Sequence, residues 1–141
     1  MIGSVCKPTI RGFTLLELLV VMVIIGLLAG FVAPRYFAQI GKSQSKAARA
    51  QIGALELALD QFRIDSGRYP TNEEGLEALM TAPPGVPDWG GPYLKKAVPA
   101  DPWGRPFLYL NPGEHGEIDI LSYGKDGHVG GTSDNADVTN W

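Results

Sequence analysis

The sequence predicts an α+β fold: a long N-terminal helix, membrane-type in its first half and amphipathic in its second, packed by a small antiparallel sheet and loops. Three observations lead there. Residues 13–33 form an apolar run carrying one charge, Glu17. Ala48, Ile52, Leu55, Leu59 and Phe62 then recur at 4-3-4-3 spacing, one apolar stripe of a helix. Toward the C-terminus, the β-prone segments 107–110 and 117–121 flank N-P-G-E-H-G, a hairpin-type connection.

The run 13–33 supplies about 20 apolar positions, enough as a helix to cross a hydrocarbon layer of ~30 Å. Glu17 is the only charge between Arg11 and Arg35. An acid at the centre of such a helix costs about 2.5–3.5 kcal/mol, less near an end. The helix dipole returns only ~0.3–1 kcal/mol in the first turn. Glu17 therefore asks for a cationic partner, or else reaches out of the helix end of a plain single-pass anchor. A secretory signal is cut after its apolar core. Here the cleavable-looking junction, Gly12-Phe13, precedes the core, so cleavage leaves the helix on the processed chain. Lys7 and Arg11 flank one end, and Arg35, Lys42, Lys46 and Arg49 the other, so charge counting leaves orientation open. Gly26 and Gly30 have small-xxx-small spacing, read equally as coincidence or as a packing face. Pro34 removes a donor and opposes the carbonyl of Gly30, which predicts a kink or local opening.

Beyond Pro34, Lys46, Arg49, Glu56, Asp60 and Arg63 lie largely off the apolar stripe. Gly67 and Pro70 mark the helix stop. Thr71 and Glu74 have capping-box spacing and predict a short helix to about Met80. Residues 83–92 are loop, with Trp89, Tyr93 and Trp103 as its anchors. Ile118 and Ile120 alternate with polar neighbours, the pattern of a sheet with one covered face.

At 141 residues the chain accommodates one membrane segment and a soluble domain of roughly 100 residues. Its formal charge is −3 from 12 basic and 15 acidic residues; without Lys7 and Arg11 ten basic residues remain, a balance of −5. No clustered basic face suggests nucleic acid. Cys6 is the only cysteine and lies in the leader, so a processed product has no disulfide and its thin core needs other fastening. From Glu114 onward, Glu114, Glu117, Asp119, Asp126, Asp134 and Asp137 face only Lys125. The last three acids sit among Gly124, Gly127, Gly130 and Gly131. Carboxylates on freely turning backbone are hard oxygen ligands of the kind calcium accepts. The spacing is not that of an EF-hand, and by pattern a solvated acidic loop accounts for it equally. His115 and His128 lie in glycine-flanked turns, and no catalytic triad or carboxylate pair is recognisable.

G-F-T-L-L-E before a long aliphatic helix resembles the class III signal of type IV pilins and type II secretion pseudopilins. S-G-R-Y-P-T, D-P-W-G-R-P, H-G-E-I-D-I-L-S-Y-G-K-D-G and the terminal N-A-D-V-T-N-W are similar to the major pseudopilins, the G proteins of general (type II) secretion. The resemblance runs from the leader to Trp141. It implies a type IV pilin-like fold divided into a cleaved leader (1–12), a transmembrane and assembly helix (13–33) and a periplasmic domain with a C-terminal calcium loop (34–141). It also implies cleavage after Gly12 by the prepilin peptidase, N-methylation of Phe13, and pairing of Glu17 with the Phe13 amine of a neighbouring subunit. In the loop it implies calcium held by the side chains of Asp126 and Asp134 and the carbonyls of Tyr123 and Gly131. Thr132 is the remaining protein ligand and Asp137 a substitute. The implied role is structural rather than enzymatic: a subunit in the lipid of the inner membrane that polymerises with itself into a periplasmic pseudopilus. Minor pseudopilins and the inner-membrane assembly platform are further partners, and the filament helps export folded proteins. A type IV pilin is the alternative; a membrane-anchored calcium-binding enzyme or binding module is a more distant one. Many type IV pilins close a C-terminal loop with a disulfide, which the processed chain cannot form.

Overall fold

The structure, a computed structural model, describes residues 12–141. Cys6, Lys7, Arg11 and residues 1–11 of the expected leader lie outside the described residues. Helix α1 spans Leu15–Ser66. Three strands follow, β1 (Leu108–Leu110), β2 (Asp119–Ser122) and β3 (Val138–Thr139), in one antiparallel sheet of order β1-β2-β3. The chain divides into two units, one through Phe37 and one from Ala38 onward.

In the first unit the apolar run is helical and uncovered. No side chain from Leu15 to Phe37 is buried within its own chain; Leu15 is 88% exposed and Phe31 69%. A helix apolar on all sides with no protein cover is the pattern of a membrane span. Its most hydrophobic window has a mean hydropathy of 2.8. Pro34 lies inside α1, and the chain stays helical through it. The expected local opening is absent: the proline deletes one donor, and the remaining bonds of the ladder keep the turn in place.

The second unit is built on the amphipathic stripe. Ala48, Ile52, Leu55, Leu59 and Phe62 are all buried, joined by Ala58. Burying a side chain of the Leu, Ile or Phe kind contributes about 1.5–3 kcal/mol, so this stripe is a major source of the domain's stability. Leu76, Ala78, Leu79, Phe107, Ile118, Ile120 and Val138 complete the core. α1 ends where Gly67 takes a φ of 78°, and the Gly67 N–H closes on the Arg63 carbonyl at 2.8 Å. The Thr71–Glu74 box forms reciprocally: Thr71 N–H donates to Glu74 Oε2 at 2.8 Å, and Glu74 N–H to Thr71 Oγ1 at 3.3 Å. Arg68 grips the same carboxylate through both terminal nitrogens, holding its pKa below the ordinary range. The short helix expected to about Met80 forms, as a 3-10 rather than an α-helical turn. Gly75 adopts a φ of 57°, which an α-helix does not admit, and only a 3-10 turn, Leu76–Leu79, comes after it.

The aromatic anchors pack on the core. Trp89 Nε1 donates to the Ala78 carbonyl at 2.8 Å, and the Tyr93 hydroxyl to Asp65 Oδ2 at 2.8 Å; Trp103 is also partly buried there. The sheet departs from expectation in one respect. β2 is its central strand, and all four of its residues, Asp119 and Ser122 included, are buried. Ile118 and Ile120 face the core as the alternation predicts, but the polar positions between them are covered too, because β2 is flanked on both edges and overlaid by loops.

Candidate functional site

Two regions carry the residues singled out by the sequence. At the start of α1, Gly12 is exposed with open space around it, and Phe13 is 75% exposed. Thr14 is the N-cap: Glu17 N–H donates to Thr14 Oγ1 at 3.2 Å, and Leu18 N–H to the Thr14 carbonyl at 3.2 Å. T-x-x-E is a helix-start signature as well as part of the leader pattern, a reading of Thr14 that periodicity alone passes over. The cap satisfies the Glu17 amide, and the side chain of Glu17 is exposed. Gly26 and Gly30 are uncovered, with nothing near the position of an added Cβ.

The second region is the loop between β2 and β3, which folds back on itself. Lys125 N–H donates to the Asp134 carbonyl at 3.1 Å, and Gly130 N–H to Asp137 Oδ2 at 2.9 Å. The Tyr123 carbonyl accepts from Gly127 N–H at 3.2 Å, and Asp126 Oδ1 from His128 N–H at 3.0 Å. Thr132 precedes a 3-10 turn, Ser133–Asn135, and its carbonyl accepts from Asn135 N–H at 3.1 Å. Gly131, at a φ of 91°, lies so close to the Asn135 carbonyl that no Cβ fits. The Asp134 carboxylate lies against Gly41 of α1, where a Cβ would overlap it. Tyr123, Asp126, Gly131, Thr132, Asp134 and Asp137 thus belong to one closed loop, with Asp126 on its exposed side and Asp134 turned toward the helix.

Among the described residues no three His, Cys, Asp or Glu side chains converge on a point. A cation here would need main-chain oxygens as well as carboxylates. The loop's chemistry fits that requirement. Its carboxylates and carbonyls are hard oxygen donors, and Asp137 Oδ1 is buried with no hydrogen-bond partner, an orphan acceptor of the kind a hard cation satisfies.

Three residues were missed at the sequence level. Asp101 is buried; its Oδ1 accepts from Trp103 N–H at 3.1 Å and Arg105 N–H at 2.8 Å, while Oδ2 accepts from the Ser122 hydroxyl. Arg105 donates from Nη1 to the Gly124 carbonyl at 2.6 Å and from Nη2 to the Lys125 carbonyl at 2.7 Å. The turn-forming D-P-W-G-R-P was the only available signal. Asp119, counted among the acids of this end, serves the β1–β2 hairpin instead. It accepts from Glu114 N–H at 2.8 Å, from His115 N–H at 3.2 Å and from His115 Nδ1 at 3.0 Å. His115 stacks on Trp141 with ring centroids 3.8 Å apart.

An uncovered apolar helix that continues in sequence as the core helix of a small sheet-packed domain defines a membrane-anchored, pilin-like subunit. The family described as Type II secretion system (T2SS), protein G, matches residues 35–141, and the prokaryotic N-terminal methylation motif matches residues 8–33. Type II secretion system core protein G of Escherichia coli (strain K12) is 48% identical over 135 residues, covering 93% of this chain and 90% of that protein. The Pseudomonas aeruginosa protein of the same name is 41% identical over 133 residues, 92% of this chain and 94% of the relative. The crystal structure of the major pseudopilin from the type 2 secretion system of enterohaemorrhagic Escherichia coli superposes with a TM-score of 0.59 at 38% identity, covering 74% of this chain and 92% of that one. The chain belongs to the type II secretion system protein G family, and it is a structural subunit rather than an enzyme.

Proposed function

We propose that this chain is the repeating subunit of a periplasmic pseudopilus, processed from a precursor and held in the inner membrane by residues 13–33 until it is assembled. The observation that carries this reading is the wholly uncovered apolar helix with a carboxylate in its capped first turn. A bilayer covers the apolar surface but leaves Glu17 poorly placed. A bundle of such helices covers that surface and can also supply a cation. Cleavage after Gly12 by the prepilin peptidase creates an amine at Phe13, which is then N-methylated. The amine of one subunit neutralises Glu17 of the next and fixes the axial step between them. Residues 34–141 then lie in the periplasm, where growth of the filament, with minor pseudopilins and an inner-membrane assembly platform, helps move folded proteins outward.

Calcium is the proposed cation of the β2–β3 loop. Asp126 and Asp134, the carbonyls of Tyr123 and Gly131, and Thr132 hold it, with Asp137 as the further carboxylate. When bound it supplies a hard divalent charge that ties the two limbs of the loop together in a chain whose processed form has no disulfide.

Mass spectrometry of the membrane-extracted protein tests the processing: an N-methyl-Phe13 terminus is expected, and an intact Met1 refutes it. Glu17→Ala should leave the protein in the membrane and reduce filament yield and secretion severely. Normal filaments from that variant refute the pairing.

A further inference from the structure

We infer that Arg105 is the positioning residue of the cation loop: its guanidinium fork turns two consecutive carbonyls away, so that the neighbouring oxygens are left for the metal. The inference rests on the calcium reading above. Arg105 engages the carbonyls of Gly124 and Lys125 at 2.6 and 2.7 Å, two nearly equal bonds from its two terminal nitrogens. A planar fork fixes such a pair in one geometry; an ammonium, with three rotatable donors on a flexible stem, does not hold it rigidly. With those carbonyls engaged, the Tyr123 carbonyl keeps a second lone pair beside its bond from Gly127 N–H, and the Asp126 carboxylate keeps Oδ2 beside the bond its Oδ1 accepts from His128 N–H.

The close approach is built into the backbone. At Gly127, with a φ of 71°, an added Cβ would lie 2.9 Å from the guanidinium carbon. Any side chain there would displace the fork. Arg105 is itself fixed from behind. Its N–H donates to Asp101 Oδ1 at 2.8 Å, and its carbonyl accepts from Asp101 N–H at 2.7 Å. The buried Asp101 also receives the Ser122 hydroxyl, and Ser122 is the last residue of β2, directly before the loop. One turn, 101–105, therefore aims a fork at the loop, and the strand that feeds the loop braces the turn.

Two effects of Arg105 oppose each other. Its charge repels a cation, whereas the fork preorganises the cation's ligands. Losing a direct partner of a ligand typically weakens affinity about 10- to 100-fold; Arg105 holds the carbonyls between two ligands rather than a ligand, so the low end, about tenfold, is expected. The guanidinium's charge faces carbonyl dipoles that partly offset it, so preorganisation is expected to win.

The test titrates calcium chloride into the full chain in detergent by calorimetry and compares melting temperatures in calcium and in chelator. Arg105→Lys, which keeps the charge and loses the fork, should bind calcium about tenfold more weakly. Arg105→Gln should also lose affinity. Ser122→Ala, which frees the brace, should lose less, and it carries the test if the Arg105 variants do not fold. Affinity unchanged in Arg105→Lys, or raised in Arg105→Gln, overturns the inference while leaving the calcium site intact. If Ser122→Ala is the only variant that folds, unchanged affinity there overturns it. A wild-type chain that takes up no calcium removes the calcium reading and this inference with it.

Discussion

The two acid-bearing loops on either side of β2 use their carboxylates in opposite ways. In the hairpin loop between β1 and β2, Asp119 is buried, and its oxygens collect the Glu114 and His115 amides and the His115 ring. Its charge is satisfied from within. In the loop between β2 and β3, Asp126 is exposed with one amide bond, and Asp137 keeps a buried oxygen without a partner. The difference is that a carboxylate whose acceptors are filled holds structure by itself, whereas one with open acceptors has capacity for a further partner, which in the proposed reading is calcium.

The largest effect should come from cutting the self-satisfied loop. Asp119→Ala leaves the Glu114 and His115 donors without their acceptor and should destabilise the chain by about 3 kcal/mol. Thermal melting in detergent should show the same loss in calcium and in chelator; a loss confined to one condition would break the contrast between the loops.

Removing the proposed calcium comes next. A metal that binds only the folded state adds about 2.7 kcal/mol at a hundredfold excess over its dissociation constant. Chelator should lower the melting temperature accordingly, and Asp126→Ala should erase the difference. An identical melt with and without calcium would leave both loops self-sufficient.

The smallest effect is in acid. Burial pushes the Asp119 carboxyl up, but the bond to the His115 ring and the amides of Glu114 and His115 outweigh it, so its pKa lies below the ordinary 3.8. The ionised form is favoured in the folded state. Its contribution is therefore complete above the ordinary value and is lost as pH falls below 3.8 toward the depressed native value. Denaturant melts between pH 5 and pH 2, run in chelator, should show this acid limb flattened in Asp119→Asn. An unchanged limb would assign acid sensitivity to other carboxylates.

The helical half of the molecule was legible residue by residue. Ala48, Ile52, Leu55, Leu59 and Phe62 are buried as their spacing requires, and Gly67 ends the helix. The Thr71–Glu74 bonds also form as read, and the short helix expected beyond them is present as a 3-10 turn that ends at Met80. Strands were legible in kind but less so in surroundings. Alternation at Ile118 and Ile120 marked the core-facing side, yet nothing local showed that Asp119 and Ser122 would be covered as well. β3 is only two residues long, Val138–Thr139, too short for an alternating pattern to register.

The sequence by itself determined the apolar run with its lone Glu17, the core stripe and the oxygen-rich composition of the last loop. Each follows from periodicity or spacing within a few residues along the chain. The tertiary structure decided which acids are spent and which remain open, and it brought Arg105 to carbonyls 19 and 20 residues away. Hydrogen bonds at that separation depend on strand order and turn geometry, since a carboxylate or guanidinium carries no local mark of the partner that folding will bring to it.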